Sequence, residues 1–251
     1  PLPLQYLRFA YDVITGNLGF SYRHSEPAVY MVLDHLPATV QLTGSALLIA
    51  TCLAVPIGVI AAVKRGSALD SIAMGLALLG QAMPVYWLGL MLILLFSVQL
   101  QWLPSGGRSG WETLILPAAT LAVFSMARIA RLTRSGMLDV LSQDYIRTAR
   151  AVGIPTRTVI FKFGLRNAAI PLITVIGLEF GVLLGGAVIT ETIFAWPGVG
   201  RLAVDSIFAR DYPVVQAVVL VLASIFVLIN ITIDVLYTYM DPRIREGGGF
   251  K

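Results

Sequence analysis

Long stretches without charged residues are the feature that most limits what this chain can fold into. Five stretches contain at most one charged residue each, and a helix needs about 20 apolar residues to cross about 30 Å of hydrocarbon. With 57% of its residues apolar and 13% charged, a soluble domain of this size could not keep enough polar surface in water. The pattern predicts an all-α, polytopic membrane protein with five spans, within residues 36–63, 71–107, 113–127, 167–190 and 212–240.

The second of these stretches is too long for one straight span. As a single helix, residues 71–107 would extend about 55 Å. A proline inside a helix removes a hydrogen bond and kinks or breaks it. We therefore expect a break at Pro84, with residues 71–83 approaching the membrane and residues 85–103 forming most of the crossing.

The basic residues predict the orientation. If the spans alternate, 13 of the 18 lysines and arginines lie on one side, with Arg128 at the edge of the third span. An excess of basic loop residues marks the cytoplasmic side. The segment 1–35 is then extracytoplasmic, 36–240 is the transmembrane domain and 241–251 is a cytoplasmic tail. Because an external amino end without a signal peptide is unusual, we expect that an earlier, sixth span is missing from this sequence.

The sequence lacks the usual motifs of catalytic and nucleotide-binding sites. No glycine-rich phosphate loop ends in Gly-Lys-Ser/Thr, so ATP is not bound by that route, and no His, Cys or Asp cluster has metal-ligand spacing. The string at 107–110, Gly-Arg-Ser-Gly, matches a short motif of intramembrane serine proteases. A serine nucleophile needs a nearby base, but His24 and His35 both precede the first span. A glycine-rich turn is the better interpretation.

Two carboxylates, Glu179 and Asp234, fall within predicted spans. Such groups usually face the bundle interior or a water-filled path, so each is either a pathway contact or a partner in an interhelical hydrogen bond. Gly177, Gly181 and Gly185 form a stripe on which another helix can pack. Glu179 lies about 200° around the helix from Gly177. We therefore expect Glu179 to face a water-filled path through the bundle, as a gate residue or a contact for a cationic or amide-bearing molecule.

The long basic loop between the third and fourth spans contains signals for a short helix. Ser142 is a candidate N-cap, a helix extends from there to about Val152, Gly153 caps it and Pro155 prevents continuation. A second helix fits residues 156–166.

One face of this short helix suits a partner. Tyr145, Ala149 and Val152 are spaced i, i+4, i+7, while Arg147 and Arg150 lie elsewhere on the helix. Small and aromatic residues ringed by arginines could insert into a groove on another protein. The alternative is an ordinary basic cytoplasmic loop.

This segment, Gln-Asp-Tyr-Ile-Arg-Thr-Ala-Arg-Ala-Val-Gly at 143–153, resembles the cytoplasmic "EAA" loop of permease subunits of binding-protein-dependent ABC importers. The match is to the dipeptide/oligopeptide/nickel branch. The glutamate of the general motif is absent here, because Arg147 takes its place. Further matching strings lie at 16–22, 36–39, 56–66, 191–201, 210–213 and 241–245.

The resemblance implies a type I importer permease in the bacterial cytoplasmic (inner) membrane, working by alternating access and without catalysis of its own. It implies a second permease subunit, two cytoplasmic ATPase subunits that bind ATP and Mg, an extracytoplasmic solute-binding protein, and no cofactor on this chain. Di- or oligopeptides are the expected solutes, with nickel chelates, glutathione and sugars left open. It also implies that the loop 135–167 couples to the ATPase through Tyr145, Arg147, Thr148, Ala149, Arg150, Ala151 and Gly153.

The rival interpretation is a self-contained ion-coupled secondary transporter or an intramembrane enzyme. An ion-coupled carrier should contain several intramembrane charges and internal repeats, but the sequence shows two such charges and no repeat. In the importer interpretation, residues 191–212 lie outside, facing the binding protein or the outer mouth of the pathway. Within them, residues 199–208 suit an amphipathic helix at the membrane surface.

Overall fold

The computed structural model describes residues 2–240, with the side chains of residues 170 and 237–240 excepted; the motif at 241–245 and the tail 241–251 lie outside the described residues. The described part is helical. The helices are α1 (Leu2–Ile14), α2 (Ala28–Val63), α3 (Ala68–Ala82), α4 (Val85–Leu92, continued by a π-helix over Ile93–Gln99), α5 (Glu112–Leu141), α6 (Asp144–Ala151), α7 (Thr156–Thr158, continued by a π-helix over Val159–Leu165), α8 (Arg166–Ile193), α9 (Val199–Phe208) and α10 (Tyr212–Met240).

Four helices are long and apolar enough to cross a membrane: α2, α5, α8 and α10. The pair α3 and α4 forms a fifth candidate, bent by 101°. The bend lies where the sequence predicts it, since Met83 is extended at ψ 131° and Pro84 is the N-cap of α4. A residue before proline is pushed out of the helical region by the proline ring.

The core is built on a stripe of small residues along α2. Leu42, Ala46, Ala50 and Ala54 recur every four residues, all fully buried, and they pack against α5 and α8. Gly58 continues the stripe at the tightest point, where an added Cβ would lie 2.6 Å from the Ala130 carbonyl oxygen of α5. Small side chains at this spacing let two helices approach closely.

Helix α5 is longer than the sequence predicts. The expected third span ended before Arg128, but α5 continues through three arginines to Leu141. Arg128 is therefore followed by further helix, and residues 135–141 of the expected coupling loop are helical. The arginines are accommodated because each donates to an acceptor on another helix: Arg128 to Glu179 on α8, and Arg131 to Gln81 and Arg134 to Asp70 on α3.

Three other boundaries also differ. Helix α2 begins at Ala28, eight residues before the predicted span. The predicted second helix at 156–166 and the fourth span are one uninterrupted helical run from Thr156 to Ile193. Helix α1 was not predicted at all, and none of its residues is buried.

Candidate functional site

The short helix α6 ends as its sequence predicts. Gly153 adopts φ +82°, a left-handed conformation that a Cβ disfavours. Its N–H donates to the Arg150 carbonyl at 3.0 Å, and the Ile154 N–H donates to the Ala149 carbonyl at 3.1 Å. These two bonds form a Schellman motif, which satisfies carbonyls that a helix end otherwise leaves unpaired.

The start of α6 differs from the prediction. Ser142 caps the carboxyl end of α5 instead, and its hydroxyl donates to the Asp139 carbonyl at 2.8 Å. Gln143 is the N-cap of α6, and Asp144 lies in its first turn. A carboxylate there is favourable at the positive end of the helix dipole.

The faces of α6 also need one correction. Ala149, predicted to share a partner-facing surface with Tyr145 and Val152, is only 8% exposed. With Ile146, it packs against Val159 in the π-helix that follows α7, so both Ala149 and Ile146 hold α6 to the bundle. The outward surface consists of Tyr145, Arg147, Thr148, Arg150, Ala151 and Val152, all exposed.

Glu179 is enclosed rather than open to a path. Its side chain is 2% exposed. One carboxylate oxygen accepts from Arg128 at 2.5 Å, and the other accepts from the Ser125 hydroxyl at 2.9 Å. The translocation-path role predicted for Glu179 stays a prediction; in this structure α5 of the same chain covers the carboxylate, and Arg128 is the more exposed member of the pair. The sequence does not predict the pairing with Arg128, because the two residues lie 51 positions apart in the chain.

The glycine stripe of α8 faces away from this pair. Added Cβ atoms at Gly177 and Gly181 would lie 2.8 Å from Ile233 and 2.9 Å from Phe226, both on α10. Gly185 has no such neighbour within 4 Å. The stripe is thus a helix-packing surface over two of its three glycines, and Glu179 projects from the opposite side toward α5.

A second enclosed carboxylate, Glu191, organises the outer end of the bundle. It is fully buried and accepts from the Thr39 hydroxyl at 2.7 Å and from the Arg201 N–H at 3.0 Å. These contacts place its carboxyl group at the amino end of α9, where helix N–H groups need an acceptor. An added Cβ at Gly198 would strike the carboxylate, which accounts for the glycine there.

Polar residues also tie the amino-terminal segment to the loop before α10. The carboxylate of Asp211 accepts from the Ser21 hydroxyl at 2.5 Å and from the Tyr22 N–H at 3.1 Å. Burial alone would raise the pKa of Asp211, but these bonds and two further backbone N–H groups outweigh burial and lower that pKa. The two segments thus form one outer surface.

This surface contains an open cavity of about 1260 Å³ between the start of α2 and the predicted surface helix α9. Helix α9 has the bounds that the sequence predicts, although it is packed on α2 and α10 rather than isolated. The cavity is lined by charged and titratable residues, among them Arg23, His24, Glu26, Asp34, His35 and Asp205. Both histidines, His24 and His35, line this outer cavity.

Long apolar helices around a small-residue core, with a capped helix on the basic side and a charged cavity on the other, define a polytopic α-helical membrane protein. The family described as "Binding-protein-dependent transport system inner membrane component" matches residues 54–246. The chain belongs to this family.

Individual relatives agree with this assignment. The dipeptide transport system permease protein DppB of Alkalihalophilus pseudofirmus is 44% identical over 273 residues, covering 98% of this chain and 82% of the relative. The corresponding Escherichia coli (strain K12) protein is 43% identical, with the same coverage. The glutathione transport system permease protein GsiC of Salmonella paratyphi A is 44% identical over 245 residues, covering 98% and 80%.

Solved structures show the same fold. An inward-facing structure of the MetNI methionine ABC transporter matches with a TM-score of 0.74 at 19% identity, over 84% of this chain and 97% of that one. A second amino acid ABC transporter structure matches with a TM-score of 0.59 at the same identity. The predicted type I importer permease fold and the multi-pass inner-membrane location are confirmed, and membership of this family implies ATPase and solute-binding partners.

Proposed function

We propose that this chain is the permease subunit of an ATP-driven importer of short peptides, which moves solute from an extracytoplasmic binding protein to the cytoplasm. The observation that carries the proposal is the 43–44% identity to dipeptide and glutathione permeases over 98% of the chain. Both solute names denote short peptides that carry free carboxylates.

The proposed assembly contains two permease subunits, two cytoplasmic ATPase subunits and one solute-binding protein. ATP and Mg are bound by the ATPases and no cofactor by this chain, which is not catalytic. Helix α6 transmits ATPase closure: Ile146 and Ala149 hold it to the π-helix that leads into α8, while Tyr145, Thr148 and Val152 face outward. The binding protein docks on the outer surface around α9 and the charged cavity, whose carboxylates and histidines can make polar contacts.

Transport by the purified complex tests the proposal. The complex is reconstituted in liposomes with its binding protein, and uptake of a labelled dipeptide and of labelled glutathione is measured with ATP inside, with ADP inside, and with an ion gradient alone. ATP-dependent accumulation of one of these peptides supports the proposal. Gradient-driven uptake without ATP would establish the ion-coupled rival, and hydrolysis of the peptide by this chain would establish the intramembrane enzyme.

A further inference from the structure

The Arg128–Glu179 pair is asymmetric in its exposure. Glu179 is 2% exposed, whereas the Arg128 side chain is 36% exposed. One guanidinium nitrogen of Arg128 is held by Glu179. Among the described residues, Nε and the other amino group of Arg128 have no hydrogen-bond acceptor. Both oxygens of the Glu179 carboxylate thus accept hydrogen bonds within the chain. The Arg128 guanidinium keeps N–H groups without an acceptor in the described part of the chain on its partly exposed side.

The exposed part of Arg128 lies on a continuous open strip of α5. Residues at four-residue spacing along this helix, Phe124, Arg128 and Leu132, are partly or fully exposed, and the strip continues through Ser135 and Asp139. The other faces of α5 pack on α2, α3 and α8. Ser135 and Asp139 belong to the predicted cytoplasmic loop, so Arg128 is the polar residue of this strip within the span. A partly exposed arginine is strongly unfavourable against lipid tails, so we expect this part of the strip to face a water-filled space.

The geometry around Arg128 suits an anionic ligand. Glu179 fixes one edge of the guanidinium, and the Phe124 ring lies 5.7 Å from its central carbon. A guanidinium held in this way keeps a planar pair of N–H donors that matches the two oxygens of a carboxylate. Little side-chain entropy remains to be lost on binding, because the side chain is already held in place.

We propose that Arg128 binds the carboxylate of the transported solute within the membrane, with Glu179 as the residue that positions it. The proposal deepens the proposed function, on which it rests, and it names the solute class as carboxylate-bearing. The sequence predicts a negatively charged contact, Glu179, for a cationic or amide-bearing solute. In the structure the more exposed group is the positively charged Arg128, which suits an anionic solute.

Uptake of a peptide with a free carboxyl terminus and of the same peptide as its amide tests this inference. Both are measured in the reconstituted complex with one binding protein, so that the selectivity of the binding protein is constant. Arg128→Gln should reduce the acid-to-amide uptake ratio about tenfold or more, the cost of losing a hydrogen bond to a charged group. Arg128→Lys keeps the charge but loses the planar fork, so it should give an intermediate ratio. Glu179→Gln should lower the ratio less than Arg128→Gln does.

Arg131→Gln is the matched control, because it removes the same charge from the same helix, one turn away, at a residue that donates to Gln81. It should leave the acid-to-amide ratio unchanged. Equal loss of acid and amide uptake in Arg128→Gln and Arg128→Lys, or loss of complex assembly in both, would make Arg128 a structural or interface residue and overturn the inference. If the unmodified complex imports neither peptide, the proposed function itself fails.

Discussion

Replacing Gly153 by valine tests whether α6 carries ATPase closure to the spans. Gly153 has φ +82°, and an added Cβ would meet nothing within 4 Å. The free-energy cost of Gly153→Val therefore comes only from holding a residue with a side chain in the left-handed conformation, which is about 1–2 kcal/mol. A β-branched residue such as valine lies at the upper end of that range.

The chain has one alternative to accepting that strain. It can release the bonds from the Gly153 and Ile154 N–H groups, each worth about 0.5–1.5 kcal/mol net. The two costs are similar, so a large fraction of molecules should have a frayed α6 end. A change of 1–2 kcal/mol shifts such an equilibrium by a factor of about 5–30. A frayed α6 holds Tyr145 and Val152 less firmly toward a partner.

The assay measures binding-protein-stimulated ATP hydrolysis and peptide uptake in the same liposomes. We expect Gly153→Val to reduce peptide moved per ATP, Gly153→Ala to do so less, and Gly153→Asn least, because asparagine tolerates left-handed backbone. Gly16→Val is the matched control: Gly16 has φ +77° and no neighbour within 4 Å, but it lies on the predicted outer side. Unchanged coupling in Gly153→Val, or equal uncoupling in Gly16→Val, would refute the reasoning.

Four further predictions follow from the packing and the outer surface. Gly58→Val should destabilise the complex by about 1–3 kcal/mol in thermal unfolding, because its Cβ strikes α5, whereas Gly44→Val on the same helix, with no neighbour within 4 Å, should not. Glu191→Ala should cost about 1–3 kcal/mol by leaving buried donors unpaired; an unchanged melting temperature would contradict this. Because the folded pKa of Asp211 is lowered, its contribution to stability is present above its unfolded pKa of about 4 and is lost as the pH falls through the folded value; Asp211→Asn should flatten stability against pH in that acidic range, and an unaltered profile would argue against the role. A cysteine at Phe208, which is 85% exposed, should react with impermeant reagents from outside when the single native cysteine is removed; labelling from the cytoplasm alone would invert the topology.

Charge-free stretches predicted most of the membrane helices, and local chemistry predicted the break at Pro84 and the cap at Gly153. These features are determined by residues close together in the chain, so they can be predicted from the sequence alone. The length of α5 could not be predicted in this way. In the sequence, the arginines of α5 resemble the charged end of a span. Their acceptors, Glu179, Gln81 and Asp70, lie roughly fifty or more residues away in the chain, so the sequence does not reveal them.

The two buried glutamates show the same limit at the level of function. Glu179 interrupts an apolar run, so the sequence indicates that it matters, but its surroundings depend on Arg128, which no spacing rule connects to it. Glu191 lies one residue beyond a predicted span, so the sequence predicts a loop position for it. A signal for it did exist in the two nearby glycines, Gly198 and Gly200, since a glycine can mark a position where a side chain approaches the backbone. Both carboxylates are satisfied within this chain. The polar groups left for solute and partners are therefore their neighbours: the guanidinium that Glu179 holds, and the outer helix whose amino end Glu191 stabilises.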